Sequence, residues 1–151
     1  MTYGAVERTA QYLADRAEPP RPTVHTLELT YPTSHADIVQ VFRAKVRALK
    51  TAHSGTRFDI LPTYTSLEGK HNRIVAIIDA IVANPGVAVP WKELVEVCRE
   101  EGVWSVIDAA HSLGQEIGIN LEAVKPDFWV SNCHKWLYVK RGCATLYVPK
   151  R

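Results

Sequence analysis

The second half of the chain alternates short apolar runs with helical or polar segments. Residues 73–79, 103–107, 127–130 and 142–148 are runs of strand length, and an amphipathic helix is predicted over residues 90–101 between the first two. The runs are apolar at nearly every position, which is typical of strands covered by helices on both faces. The order strand, helix, strand therefore predicts an α/β fold with a mostly parallel sheet and helices on both faces.

The first half of the chain has a less regular pattern. Helical spacing of apolar residues predicts helices over residues 4–17 and 34–50, and Ser34 is a good N-cap for the second. Residues 23–29 alternate between polar and apolar and predict a strand. Residues 51–72 are polar and irregular, so we expect a loop or an insertion there.

Composition excludes several classes of protein. A net charge of +2 over 151 residues, with no dense stripe of Lys and Arg, argues against a nucleic-acid partner. The longest apolar stretch, residues 74–83, is too short to span a membrane, and the N-terminus has no apolar signal region. The cysteines are three, an odd number, and form no Cys-x-x-Cys pair, which argues against a disulfide scaffold or a zinc site and favours free buried thiols in a reducing compartment. We therefore expect a cytoplasmic protein without membrane or nucleic-acid partners.

Polar residues follow three of the predicted strands directly. Asp79 ends the first, Asp108 and His111 follow the second, and Ser131–Lys135 follows the third. Because ligands of open α/β sheets bind at the carboxyl ends of the strands, these residues are site candidates. Each also has a simpler explanation. Asp108 could cap the next segment, His111 could be an ordinary histidine, and Lys135 could be a surface lysine.

Taken together, these residues fit the needs of pyridoxal 5'-phosphate (PLP) chemistry. The Asp108 carboxylate can pair with a pyridinium nitrogen and keep the ring an electron sink. The Lys135 amine can form a Schiff base once desolvation favours the free amine. His134 and the small polar groups beside it can bind a phosphate.

Three segments resemble the class V aminotransferase family, and within it the isopenicillin-N-epimerase-like branch. They are Val106–Gly114 with its Asp-x-x-His, Asp127–Trp136 with its His-Lys-Trp, and Arg141–Val148. The resemblance implies a PLP-dependent transferase large domain, an amino-acid substrate and, in the full-length form, a homodimer. It leaves transamination, epimerisation and lyase chemistry open.

The resemblance also implies a role for each site residue. Asp108 matches the aspartate that binds the pyridine nitrogen, and His111 matches the position beside the phenolic oxygen. Lys135 matches the Schiff-base lysine, which also moves protons at the substrate α-carbon. His134 matches a histidine that helps to hold the phosphate, and Asn132 stands where many relatives have a phosphate-binding serine.

The resemblance further implies that residues 1–151 are a partial PLP-binding large domain. On this interpretation residues 51–72 are an irregular insertion, and an N-terminal segment with a Gly/Thr phosphate loop and a C-terminal small domain are missing. We therefore expect little or no turnover from this chain alone. Cys143, eight residues after Lys135, lies too close to it for the mobile-loop cysteine of desulfurases.

Two other classes of function compete with this one. A nucleotide-binding domain would need a Gly-rich turn such as G-x-G-x-x-G or a P-loop, and the sequence has neither. A truncated, inactive remnant of a PLP enzyme, acting at most as a binding or interaction module, stays open.

Overall fold

The computed structural model describes residues 3–19, 21–52 and 74–150. Most of the predicted loop or insertion at 51–72 therefore lies outside the described residues. Within the described ranges, no helix is both long and apolar enough to cross a membrane.

Helices and short strands alternate along the described chain. In order they are α1 (Gly4–Arg16), α2 (His35–Ala52), β1 (Val75–Asp79), β2 (Ile81–Val82), β3 (Val87–Ala88), α3 (Trp91–Glu101), β4 (Trp104–Asp108), α4 (Leu121–Val124), β5 (Phe128–Asn132), α5 (Cys133–Trp136) and β6 (Ala144–Tyr147).

The main sheet has the strand order β1-β4-β5-β6. β1, β4 and β5 are parallel, and β6 pairs with β5 in the antiparallel direction. The predicted α/β class with a mostly parallel sheet is confirmed. β2 and β3 form a separate antiparallel hairpin that the sequence did not predict, because strands of two residues are too short to show a period.

One face of the sheet packs against α3, and α2 packs on α3. The buried core there combines side chains of both helices with inward-facing strand residues, among them Ile38, Phe42, Leu94, Val95, Cys98, Ile78, Ile107 and Trp129. On the opposite face Val75, Ile77 and Leu146 keep 56%, 41% and 63% of their surface exposed. Among the described residues, helical cover is therefore heavier on the α2–α3 side.

The predicted strand at 23–29 is wrong, because residues 21–30 have no regular secondary structure. The alternating pattern did report burial correctly, since Leu27 and Leu29 pack against the core. An extended segment becomes a strand only when its backbone bonds to a neighbour. In the part of the sheet that the structure describes, β1 pairs with β4 alone.

Helix limits follow the predicted capping residues. The Asp37 N–H donates to Ser34 Oγ at 3.1 Å, which satisfies one free amide at the start of α2. α2 runs two residues past the predicted end at residue 50. Gly102 ends α3 in the left-handed conformation with φ 66°, where glycine carries no Cβ penalty.

The predicted end of the third strand, at residue 130, needs correction. β5 extends through Ser131 to Asn132, because both residues pair with β6. Ser131 and Asn132 therefore belong to the strand and not to the segment after it. Between β4 and β5, the only helix the structure describes is α4, and Asn120 caps it by accepting from the Ala123 N–H at 3.0 Å.

A buried hydrogen-bonded pair fixes β4 beside the start of β5. The N–H and the hydroxyl of Ser105 donate to Asp127 Oδ2 at 2.8 and 2.9 Å. The Asp127 N–H donates back to Ser105 Oγ at 3.0 Å. Ser105 is 1% exposed, so water does not compete strongly for these bonds.

We expect Ser105→Ala to lower the free energy of unfolding by about 1–2 kcal/mol, because it removes two buried hydrogen bonds, one to a carboxylate. The matched control is Ser112→Ala. Ser112 is also fully buried, but its hydroxyl has no hydrogen-bond partner among the described residues. Urea denaturation of both variants should show a loss for Ser105→Ala and almost none for Ser112→Ala. Equal losses would contradict the role given to this pair.

Candidate functional site

The carboxyl ends of the parallel strands bring the predicted polar residues to one edge of the sheet. Asp79 ends β1 and Asp108 ends β4, and the two are direct partners in the register. Asp108 is in turn the partner of Val130, and Asn132 lies two residues further along β5. Since side chains alternate along a strand, Asp79, Asp108 and Asn132 share one face.

Asp108 is held in a fixed orientation by the turn that follows it. Its Oδ1 accepts from the Ala110 N–H at 3.0 Å, as an aspartate in a turn commonly does. The next residue, Ala109, donates its N–H to the Val130 carbonyl at 2.8 Å and ties the turn to β5. Asp108 therefore stabilises a turn and does not cap a helix, since the next described helix begins at Leu121. The bond occupies only one of its two carboxylate oxygens.

Lys135 and His111 come together across this edge. Lys135 Nζ lies 3.2 Å from His111 Nε2, although 24 residues separate them in the chain. The pKa of His111 is lowered, first by burial and then by the positive charge of Lys135, while Asp108 opposes the shift. His111 therefore favours its neutral form in the field of both Asp108 and Lys135.

His134 and Asn132 lie close to Lys135 in the chain, but neither side chain forms a hydrogen bond to Lys135 or His111 in the described part of the chain. His134 Nδ1 is buried and has no hydrogen-bond partner within the described part of the chain. Asn132 precedes α5, and its side chain makes no capping bond. A buried unpaired nitrogen is costly in a folded protein, so the His134 ring has unused capacity to bind a ligand.

Asp79 is the acidic residue of this edge to which the sequence gave no role. Its pKa is raised to about 6, first by burial and then by the neighbouring charge of Asp108, while a hydrogen bond from the backbone of Tyr3 opposes the shift. Its Oδ1 is buried without a partner among the described residues. In the sequence, Asp79 was recognisable as a site candidate only because it is a charged residue at the end of an apolar run.

Gly114 is a positioning residue that sequence reasoning missed. It adopts φ +85°, and a Cβ there would lie 2.8 Å from the Cβ of Trp136. Trp136 follows Lys135 directly, so this close approach seats the end of α5 against the turn that carries His111. No sequence pattern reports such a contact, because it depends on two segments meeting in space.

Residues 31–151 match the family described as aminotransferase class-V. The chain belongs to this family. The family prediction made from the three sequence segments is thereby confirmed, and the family is PLP-dependent.

Relatives within the family carry names of several activities. The chain is 38% identical over 151 residues to an L-cysteine desulfhydrase-like protein, lolT1, of Epichloe uncinata, which covers 99% of this chain and 28% of the relative. It is 40% identical over 75 residues to hercynylcysteine sulfoxide lyase of Schizosaccharomyces pombe, and the match covers 50% of this chain and 19% of the relative. It is 27% identical over 110 residues to isopenicillin N epimerase of Amycolatopsis lactamdurans, and the match covers 73% of this chain and 26% of the relative.

The chain spans about a quarter of the length of the curated relatives it matches. Among solved structures, a SepCysS–SepCysE N-terminal domain complex matches with a TM-score of 0.54 and 17% identity, over 73% of this chain and 25% of that one. At this identity the match supports the fold alone.

We expect Gly114→Ala to lower the free energy of unfolding by about 2–4 kcal/mol, because it combines left-handed strain with a clash against Trp136. Gly118→Ala is the matched control, since Gly118 also has a positive φ of +71° but nothing within 4 Å of its Cβ position. It should cost only about 1 kcal/mol. Thermal denaturation separates the two, and a similar loss in both would refute the contact with Trp136.

We expect Asp79→Asn to remove a pH-dependent part of the folding stability. The raised pKa of Asp79 means that its proton stabilises the folded state, and this contribution is lost as the pH rises from 3.8 through about 6. The stability of the unmodified protein should therefore fall relative to Asp79→Asn over that window, measured by urea denaturation at each pH. If the stabilities of the two proteins changed in parallel with pH, Asp79 would ionise as an ordinary exposed carboxyl.

Proposed function

We propose that the protein is a PLP-dependent enzyme acting on an amino-acid substrate, with Lys135 as the residue that bonds the cofactor covalently. The observation that carries the proposal is the approach of Lys135 Nζ to His111 Nε2 at 3.2 Å, at the strand ends beside Asp108. Membership of a PLP-dependent family supports it.

The carboxylate end of the site fits the pyridine nitrogen of PLP. Asp108 Oδ1 is fixed by the Ala110 N–H, and Oδ2 makes no hydrogen bond to the residues that the structure describes. That second oxygen is available to accept from a protonated ring nitrogen. When bound, PLP supplies an electron sink for the bonds at the substrate α-carbon.

At the other end of the site, His111 can accept a proton from Lys135. A lysine bonds an aldehyde only as the free amine, so its ammonium form must first give up a proton. His111 lies in contact and favours its neutral form, so its Nε2 can accept from Lys135 Nζ in the tautomer that carries the proton on Nδ1. In this proposal Lys135 also moves the proton at the substrate α-carbon.

His134 and Asn132 form a third part of the site, which fits the phosphate of PLP. His134 offers a buried ring nitrogen without a partner in the described chain, and the side chain of Asn132 makes no capping bond. Asn132 ends β5, and His134 lies in α5 directly before Lys135. We propose that both contact the phosphate and set the depth at which the cofactor lies against Asp108.

The reaction we favour is lyase chemistry at a carbon–sulfur bond. The names of two relatives, a desulfhydrase-like protein and a sulfoxide lyase, motivate this choice. Transamination and epimerisation are the alternatives, and the second is named by another relative. A homodimer, a cytoplasmic location and a division into a partial large domain and further segments stay predictions.

A second candidate is a binding module without catalysis. The apolar side chains of Val75, Ile77 and Leu146, which are exposed on one face of the sheet, favour it, because exposed apolar surface is typical of interaction sites. This candidate predicts a folded chain that takes up no PLP.

Reduction with borohydride tests the proposal. We expect the chain mixed with PLP and then reduced to carry the pyridoxyl group mainly on Lys135, as shown by peptide mapping. Lys140 is the internal control, since it is exposed and lies only five residues away. Label at Lys135 should fall roughly tenfold in Asp108→Asn, which loses an interaction of about 1.4 kcal/mol with the ring nitrogen.

Two outcomes would count against the enzyme proposal. Label spread equally over Lys135 and Lys140 would show that Lys135 has no special reactivity. A folded circular-dichroism spectrum with no label at all would favour the binding module.

A further inference from the structure

Cys133 and Cys143 lie opposite each other where the pairing of β5 and β6 ends. The register pairs Ser131 with Thr145 and Asn132 with Ala144, so the next pair along the two strands is Cys133 with Cys143. The Cys133 N–H donates to the Cys143 carbonyl at 3.0 Å, which shows that the backbones stay together at this position.

This backbone geometry suits a disulfide bond. The Cys143 N–H donates to the Lys140 carbonyl at 3.4 Å, so the two cysteines share one backbone hydrogen bond at the end of the paired strands. In a complete antiparallel pair, whose residues exchange both hydrogen bonds, the two Cα atoms are about 5.5 Å apart. Disulfide-bonded cysteines most often have Cα atoms about 5.5–6 Å apart.

The side chains also meet. Cys133 Sγ lies 3.3 Å from the hydroxyl of Thr145, the neighbour of Cys143 on the same face of β6. The pKa of Cys143 is raised, first by the charge of the Cys133 thiolate and then by a hydrogen bond between the two side chains, as expected when the two sulfur atoms are close. Cys143 is exposed and Cys133 is buried, so a dissolved oxidant reaches Cys143 first.

We propose that Cys133 and Cys143 form a reversible disulfide in the presence of a low-molecular-weight disulfide such as oxidised glutathione. The Cys143 thiolate attacks a glutathione sulfur, the glutathione disulfide breaks, and one glutathione leaves as its thiol with the proton from Cys143. The Cys133 thiolate then attacks Cys143 Sγ, and the second glutathione leaves in the same way. The protein loses two electrons and two protons, which the two glutathione thiols carry away.

The bond would close the segment that carries the candidate cofactor lysine. Residues 134–142 lie between the two cysteines, and they include His134, Lys135 and Trp136. A covalent link at the base of this segment restricts its conformations. The inference does not depend on the proposed function, because it follows from strand pairing and thiol chemistry alone.

The test incubates the folded chain with oxidised and reduced glutathione at several ratios, blocks free thiols and maps the peptides by mass spectrometry. We expect a linked peptide pair containing Cys133 and Cys143, and its loss when reduced glutathione is in excess. Cys98→Ser should leave the yield unchanged, because burial raises the pKa of Cys98 to about 12 and keeps that thiol unreactive. Cys143→Ser should abolish the linked pair.

Two results would overturn the proposal. In the first, glutathione remains attached to Cys143 in the unmodified protein as it does in Cys133→Ser, which would mean that Cys133 does not reach it. In the second, both cysteines stay free with oxidised glutathione in large excess, while a circular-dichroism spectrum shows that the protein is folded.

Discussion

The in-register parallel pairing of β1, β4 and β5 is the constraint on which the site depends. Asp79 pairs with Asp108 and Asp108 with Val130, so β1 and β4 end at one level and β5 ends two residues further, at Asn132. The last side chains of all three strands share one face. A slip of one residue would turn a strand's side chains to the other face. The Ser105–Asp127 hydrogen bonds resist such a slip between β4 and β5.

The balance of charge at this edge determines what it can bind. Asp79 and Asp108 lie side by side, and the pKa of Asp79 is raised to about 6, first by burial and then by the neighbouring charge of Asp108. Lys135 supplies a positive charge on the other side of His111. A group with a protonated ring nitrogen and an aldehyde complements both ends of this arrangement. The chemistry of PLP matches that description, and family membership supports the same choice.

The sequence predicted those parts of the fold and site that local patterns report. Apolar runs located β1, β4 and β5, and the polar residues directly after them located Asp108, His111 and Lys135. The prediction failed at 23–29, because the alternation of residues reports burial and cannot report whether a neighbouring strand is present. The approach of Gly114 to Trp136 and the hydrogen bond from the Cys133 N–H to the Cys143 carbonyl were also beyond prediction, since each joins segments that meet only after the sheet has formed.

The central claim is that Asp108, His111 and Lys135 form one asymmetric site that holds PLP. The most direct test is the circular dichroism of the cofactor's visible absorption band when PLP is added to the protein, compared with Lys135→Met. PLP in free solution is achiral and gives no signal in that band. The account predicts an induced signal in the unmodified protein that is lost in Lys135→Met. A folded protein that gives no induced signal at saturating PLP, or the same signal in both proteins, would contradict it.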